Sequence, residues 1–219
     1  MRVTNNMLSN TALKGGFTFK RRTLLDMLGS SYGTLGSSSG LSSLYGSYKT
    51  TSYSKLDKAS KELSEKADKL TATGETSLFE KAAAGGSTKD ITSTVSDMVE
   101  QYNQTLKQLA TSGDVMGKLY KQELSAIFED NKETLKSVGI TQEKDGSLTV
   151  DEKVLQSADI DTLKKAFGNG SDFGSRLGTV SGYVNKYASA NLDSVTSQYG
   201  SNGKAYESGV YTSKYNFWG

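Results

Sequence analysis

The chain of 219 residues contains no proline, and this absence constrains its fold more than any other feature of the sequence. Proline is the strongest interrupter of an α-helix, because its ring removes a backbone donor and clashes with the preceding turn. A chain without proline can form long helices that end at glycine, serine or asparagine turns. The sequence therefore favours a helical scaffold.

Apolar residues recur at helical spacing in three long segments. Segment 55–72 has leucines seven residues apart, a pattern typical of coiled coils, and Ser54 stands where an N-cap is expected. Segments 90–111 and 172–199 repeat apolar residues every three or four positions. The members of these stripes that we assign to an assembly face are Leu56, Leu63, Leu70, Val95, Tyr102 and Leu109.

The last long segment carries a second pattern, in which small residues recur. Gly174, Gly178 and Gly182 are four residues apart, so one side of the predicted helix has no Cβ atoms. Another backbone can approach such a side closely, although each glycine costs roughly 1 kcal/mol of helix propensity. We therefore add these three glycines to the predicted assembly face.

Shorter elements are predicted between the long helices. The helical segments among them are 75–84, 114–138, 151–155 and 161–167, the last with Asp161 as its cap. Residues 140–150 alternate apolar and polar around Asp145-Gly146, which predicts a β-hairpin whose two turn positions both need positive φ.

Composition divides the chain into three regions. Residues 1–54 are basic, and the stretch from Ser30 to Tyr48 is almost entirely Ser, Gly, Tyr and Leu, which predicts disorder in isolation because little area can be buried. Residues 55–200 are predicted to form a helical bundle domain with the hairpin at 140–150, and residues 201–219 form an aromatic-rich tail. The predicted fold class is mainly α: an antiparallel helical bundle or coiled coil with one small β-hairpin.

The absent residue types exclude several functions. Without Cys or His, the chain has no Ser-His-Asp triad, no Cys or His nucleophile system and no nitrogen–sulfur zinc site. Its net charge of +2 disfavours nucleic-acid binding. The sequence also lacks an apolar run of membrane-spanning length and a secretory signal with an apolar core. We predict a protein that is not an enzyme, uses no cofactor and does not insert into membranes.

One segment partly matches a calcium-binding loop. Residues 141–152 place Asp145 before a glycine and Glu152 at the twelfth position of the loop. Calcium loops have Asp at the first position and Asp or Asn at the third, where this chain has Thr141 and Glu143. A hairpin followed by an acid-capped helix explains the same residues, so a calcium site at Asp145 and Glu152 stays an alternative.

A longer pattern runs from about Ile91 to Ala188. A helix containing Met98-Val99-Glu100-Gln101-Tyr102-Asn103 is followed by a second helix, then by Gly139-Ile140-Thr141 and Asp145-Gly146-Ser147-Leu148, and then by a helix over 163–167. This order resembles the C-terminal region of the flagellar filament cap protein, hook-associated protein 2, which has a similar V-x-x-Y-N helix and GIT…DG.L hairpin. The opening, residues 1–8, is similar to that of flagellins and hook-filament junction proteins.

The resemblance implies a helical, coiled-coil-like stem whose chain ends are mobile before assembly and which is exported through the flagellar channel without a cleaved signal. This chain has no room for the large β-rich domains that the family inserts before its C-terminal helices. We therefore expect a non-enzymatic structural protein, a flagellar axial or cap-like component located outside the cell or in the flagellum. Its partners would be copies of itself, other flagellar axial proteins and an export chaperone.

Two alternatives stay open from the residues alone. A cytoplasmic helical adaptor or export chaperone would also be acatalytic and rich in coiled-coil stripes, although it has no evident need for the Ser-Gly-Tyr segment. A calcium-binding module would instead use Asp145 and Glu152.

Overall fold

Helices dominate the computed structural model, which describes residues 38–198 of the chain. In chain order the elements are α1 (Ser38–Thr71), a 3-10 helix (Gly74–Thr76), α2 (Leu78–Ala83), α3 (Lys89–Ser112), α4 (Val115–Asp130), α5 (Lys132–Ser137), β1 (Ile140–Gln142), β2 (Leu148–Val150), α6 (Glu152–Ser157), α7 (Ile160–Phe167) and α8 (Asp172–Gln198). The predicted mainly α class with one small hairpin is confirmed. The predictions for residues 1–37 and 199–219 lie outside the described residues.

Four helices, α1, α3, α4 and α8, form an antiparallel bundle. The direction of α1 against α3 follows from two contacts. The Tyr48 hydroxyl, near the start of α1, donates to the carbonyl of Thr111 near the end of α3 at 3.3 Å. Lys66, near the end of α1, pairs with Asp97 in the first half of α3. Helix α4 packs on α3 and α8, so the bundle contains a fourth helix besides those formed by the three long segments of apolar spacing.

The heptad leucines and their partners lie in the interior of this bundle. Leu56, Leu63, Leu70, Val95, Tyr102 and Leu109 each have at most 1% of their surface exposed. Their assignment to an assembly face is therefore corrected, because these side chains are already packed within the chain. The physical reason is that α1 lies between α3 and α8, whose own apolar stripes cover it.

The glycine side of α8 faces α1. A Cβ atom built on Gly174 would lie 2.9 Å from Cγ2 of Thr71, and one built on Gly178 would lie 3.6 Å from the Cβ of Ala67. The spacing widens along the helix, and a Cβ on Gly182 would meet no atom closer than 3.9 Å. The close backbone approach predicted for these glycines is thus present, and the neighbouring backbone belongs to the same chain.

Helix α1 begins at Ser38, well before the predicted start at residue 55. Ser54 consequently lies inside the helix and is not its N-cap, and residues 38–54 of the segment predicted to be flexible are helical. Packing explains the extension, since Tyr53 is buried and Nζ of Lys49 donates to the carbonyl of Ser112 at 2.8 Å. Tertiary contacts of this kind outweigh weak helix propensity.

Two further helix boundaries differ from the prediction. The helix predicted over 114–138 is broken at Asn131, whose side-chain amide donates to the carbonyl of Ile127, four residues earlier, at 2.9 Å and to Asp172 at 2.9 Å. A short polar side chain bonded in this way competes with the helical ladder. The cap of α7 is Asp159 and not Asp161, because Oδ1 of Asp159 accepts from the backbone N–H of Thr162 at 2.8 Å.

The hairpin is present, but its turn differs from the predicted one. The paired residues are Ile140 with Val150, Thr141 with Thr149 and Gln142 with Leu148. The N–H of Glu143 donates to the carbonyl of Ser147 at 2.8 Å, and the N–H of Gly146 donates to the carbonyl of Glu143 at 3.0 Å. The connection is therefore a three-residue loop in which only Gly146 has positive φ, at 92°. Asp145 avoids positive φ because the third loop position, and not the second, is left-handed.

Candidate functional site

The residues that carry the family resemblance meet between α3 and the hairpin. Nδ2 of Asn103 donates to the carbonyl of Leu148 at 2.8 Å, and the N–H of Leu148 donates to Oδ1 of Asn103 at 2.7 Å. The side-chain amide thus pairs with the edge of β2 as another strand would. Beside it, burial raises the pKa of Tyr102 to about 12, with Gln142 and Ser125 near its hydroxyl. This constellation fixes the hairpin on the bundle.

The two carboxylates of the calcium alternative have separate partners. Oδ1 of Asp145 accepts hydrogen bonds from the hydroxyl of Ser147 at 2.6 Å and from its N–H at 3.0 Å, and these bonds lower the pKa of Asp145. Oε1 of Glu152 accepts from the hydroxyl of Ser96 on α3 at 2.9 Å. Within residues 38–198 no group of three or more acidic side chains comes together as a metal site would require.

Acidic residues of α4 and α8 surround Arg176. Its guanidinium bonds Asp130 at 2.7 Å, Asp172 at 3.3 Å and Glu123 at 3.5 Å. An exposed ion pair of this kind contributes little to stability by itself, although several charges in a network contribute more. The cluster holds the second half of α4 against α8.

Large apolar side chains are exposed at the opposite end of α4. Six of them, with exposed fractions from 42% at Met116 to 79% at Val115, form what we call the apolar end surface. Its residues are Leu44, Tyr45, Tyr48, Val115, Met116 and Leu119. The contacts of Tyr48 and Lys49 with the end of α3 place the start of α1 beside the turn that leads into α4. Exposed apolar clusters on a folded domain commonly mark protein interaction sites.

A polar cluster lies directly beneath this surface and joins three helices. Oδ1 of Asp114 caps α4 by accepting from the N–H of Gly117 at 2.6 Å. Oδ2 of the same carboxylate accepts from the hydroxyls of Tyr53 on α1, at 3.2 Å, and Tyr187 on α8. The ring of Tyr53 packs edge-on against that of Tyr187, with centroids 6.0 Å apart. One carboxylate therefore holds the start of α4, the middle of α1 and the second half of α8.

The protonation of this cluster follows from its contacts. Burial alone would raise the pKa of Asp114, but the hydrogen bonds from Tyr187, Gly117 and Tyr53, together with the charge of Lys49, bring it below its ordinary value. Burial and the hydrogen bond to Asp114 raise the pKa of Tyr187 above its usual range. At neutral pH the cluster is an ionised carboxylate held by two neutral phenols.

Replacing Asp114 with asparagine should flatten the acid side of the stability profile. Because the folded pKa is lowered, the carboxylate stabilises the fold above its unfolded pKa of about 3.9, and that contribution disappears as the pH falls through the folded value. Asp114→Asn keeps an N-cap oxygen but has no charge to titrate, so we expect a loss of about 1 kcal/mol at pH 7 and a shallower decline below about pH 4. Urea unfolding at a series of pH values measures the loss at pH 7 and the slope of the decline in acid.

Tyr187→Phe is the matched control for this variant. It removes one donor to Asp114 and leaves the carboxylate, so its stability should still fall with acid, over a range closer to the ordinary pKa of Asp. An Asp114→Asn profile with the same slope as that of the unaltered protein would contradict the assignment. Asp145, Asp159 and Asp172 also have lowered pKa values, so the slope decreases without vanishing.

Both ends of the described chain lie beside the apolar end surface. Asp57 on α1 accepts from Nδ2 of Asn185 at 2.9 Å and from the hydroxyl of Ser189, which aligns the two helices at that level. From Asp57 back to Tyr48, and from Ser189 forward to Gln198, the same number of residues covers about 14 Å of helix. Gln198 is therefore level with Tyr48, and segments 1–37 and 199–219 join the bundle at this end.

Sequence reasoning missed the apolar end surface for two reasons. Leu44, Tyr45 and Tyr48 belong to the stretch predicted to be disordered, and Leu119 belongs to the segment 114–138, for which the sequence predicts a helix without saying which of its apolar residues are exposed. The five-residue gap between Leu119 and the buried Leu124 breaks the spacing of three or four, and this gap was the available signal that Leu119 lies off the stripe.

Comparisons with protein families, with curated proteins and with solved structures find no match to this chain. Among the residues that the structure covers, no helix combines the length and the hydropathy needed to cross a bilayer.

Proposed function

We propose that this chain is a non-enzymatic structural protein that assembles through its apolar end surface as an exported flagellar axial or cap-like component. The observation that carries the proposal is the position of that surface, at the end of the bundle where both flanking segments are attached. The apolar stripes of the bundle are packed in its interior, while the apolar end surface is exposed. Such a bundle is suited to end-to-end or end-to-side packing with other helical proteins.

The side chains at this surface also favour a protein partner. Its members are large apolar side chains exposed on α1 and α4, with aromatic rings among them, and tyrosine is enriched at protein interfaces. An open depression elsewhere, beside the hairpin, is lined by residues of both charges, including Lys136, Asp151 and Lys153.

The flagellar part of the proposal rests on the resemblance of residues 91–188 to the filament cap protein. In this chain the Asn103 of the V-x-x-Y-N motif bonds the backbone of Leu148 in the DG.L motif. Two short motifs that are distant in the sequence thus form one joint. A motif pair that serves such a joint supports a shared stem architecture more strongly than either motif alone.

A cytoplasmic adaptor or export chaperone is the competing proposal, because it could use the same apolar end surface. The two differ in location. We therefore expect the protein in the culture medium and in the sheared-filament fraction of its native host, and we expect it to disappear from both when the flagellar export apparatus is inactivated. Equal retention inside the cell in both strains would favour the adaptor.

A surface variant extends this test from export to assembly. Val115→Ser combined with Leu119→Ser removes two exposed apolar side chains and leaves the buried interior intact. This double variant should still reach the medium but should be lost from the sheared-filament fraction. Val154→Ser, at an exposed apolar position near the hairpin, is the matched control and should remain with the filaments. Normal filament association of the double variant would contradict assembly through this surface.

A further inference from the structure

We propose that the C-terminal segment 199–219 of the same chain docks on the apolar end surface in the free protein and covers it until a partner displaces the segment. The inference rests on the proposed function in that it assigns a regulation to the same surface. It adds an occupant for that surface, and it names the contact that assembly has to replace.

The place where α8 ends supports this occupant. Gln198 is level with Tyr48, so the segment that follows starts beside the surface it would cover. Its 21 residues could extend about 70 Å, and as a coil their ends would be separated by roughly 25 Å. No long connection is therefore needed to bring its far end onto Val115 or Leu119.

The chemistry of the segment fits an apolar surface that contains tyrosines. Its aromatic residues are Tyr199, Tyr206, Tyr211, Tyr215, Phe217 and Trp218. Its charged residues are only Lys204, Glu207 and Lys214, so docking would desolvate little charge. Aromatic side chains bury large areas and pack favourably on one another in edge-on or offset arrangements. The segment 1–37 joins the bundle at the same end but carries fewer aromatic residues.

The tether favours the chain's own segment over that of a second copy. A short flexible connection gives an effective concentration of the order of 1 mM, far above the micromolar concentration at which proteins are usually studied. The segment therefore docks on its own chain in preference to the surface of a second copy. A partner that binds the surface must then bring enough affinity, or enough copies, to displace the tethered segment.

Trp218 is the only tryptophan of the chain, which makes the docking directly observable in the intact protein. We expect its fluorescence to be blue-shifted and poorly quenched by acrylamide, and we expect this to be unchanged over a hundredfold dilution, since the contact lies within one chain. In Val115→Ser/Leu119→Ser the emission and the quenching constant should approach those of the unaltered protein in urea. Val154→Ser should behave as the unaltered protein.

Far-ultraviolet circular dichroism of each variant shows whether the bundle is still folded, so a loss of docking is separated from unfolding. A solvent-exposed Trp218 in the unaltered protein would overturn the proposal and leave segment 1–37 or a second copy as the occupant. Protection that disappears on dilution would overturn it in favour of a second copy. Neither result bears on export of the protein, so this experiment and the filament fractionation fail independently.

Discussion

Leu63→Ala should lower the free energy of unfolding by about 3 kcal/mol, a large share of the 5 to 15 kcal/mol typical of a domain. Leu63 is fully buried in the middle of α1, between α3 and α8, and truncating it removes transfer free energy and leaves a cavity. Urea unfolding followed by circular dichroism measures the loss. Because the leucine packs within its own chain, the loss should not depend on protein concentration.

The matched control for this variant is Lys61→Ala, on the exposed side of the same helix. Its side chain is exposed, so the free energy of unfolding should change by no more than about 0.5 kcal/mol. A Leu63→Ala effect as small as that of Lys61→Ala would contradict the burial of the heptad leucines. A loss of unfolding free energy that grows on dilution would instead indicate that these leucines pack at an interface between chains.

Alanine at two glycines of α8 should have opposite effects on stability. A Cβ on Gly174 would lie 2.7 Å from Oγ of Ser171 and 2.9 Å from the carbonyl oxygen of Phe167, and backbone cannot yield cheaply. We expect Gly174→Ala to cost about 1 to 3 kcal/mol, in spite of the better helix propensity of alanine. A Cβ on Gly182 would have no atom within 3.9 Å, so Gly182→Ala should stabilise by up to about 1 kcal/mol.

Thermal and urea unfolding of the two variants side by side decide this prediction. Each variant serves as the control for the other, since both changes add the same methyl group to the same helix. Two changes of equal sign would contradict the close contacts of Gly174 with Ser171, Phe167 and Thr71. Gly178→Ala should lie between them, because its nearest neighbour is the movable carboxylate of Asp68 at 3.3 Å.

Local patterns in the sequence were enough to predict most helices and the hairpin. The apolar spacing over 90–111 corresponds closely to α3, which ends at the left-handed Gly113. Residues 38–54 were missed because serine, glycine and tyrosine give no local reason for a helix. Their helix depends on distant partners such as Ser112 and Asp114, which a single sequence does not place nearby.

The candidate site was less accessible from the sequence than the fold. Periodicity identifies which residues avoid water, but it does not say whether the covering surface belongs to the same chain or to another. Leu56 and Val95 were assigned to assembly for this reason, and both are covered by the chain itself. The cluster of Tyr53, Asp114 and Tyr187 combines residues from three helices, and no local spacing connects them.

Segments 1–37 and 199–219 join the bundle at the same end, and this has a practical consequence for labelling. An affinity tag or fluorescent protein fused to either terminus would be joined to the bundle beside the apolar end surface, where it could block the contacts under test. Gly85 offers an internal insertion point instead, since it is exposed, has open space around it and follows α2 at the other end of the bundle. A small epitope inserted there would allow the protein to be detected without obstructing the apolar end surface.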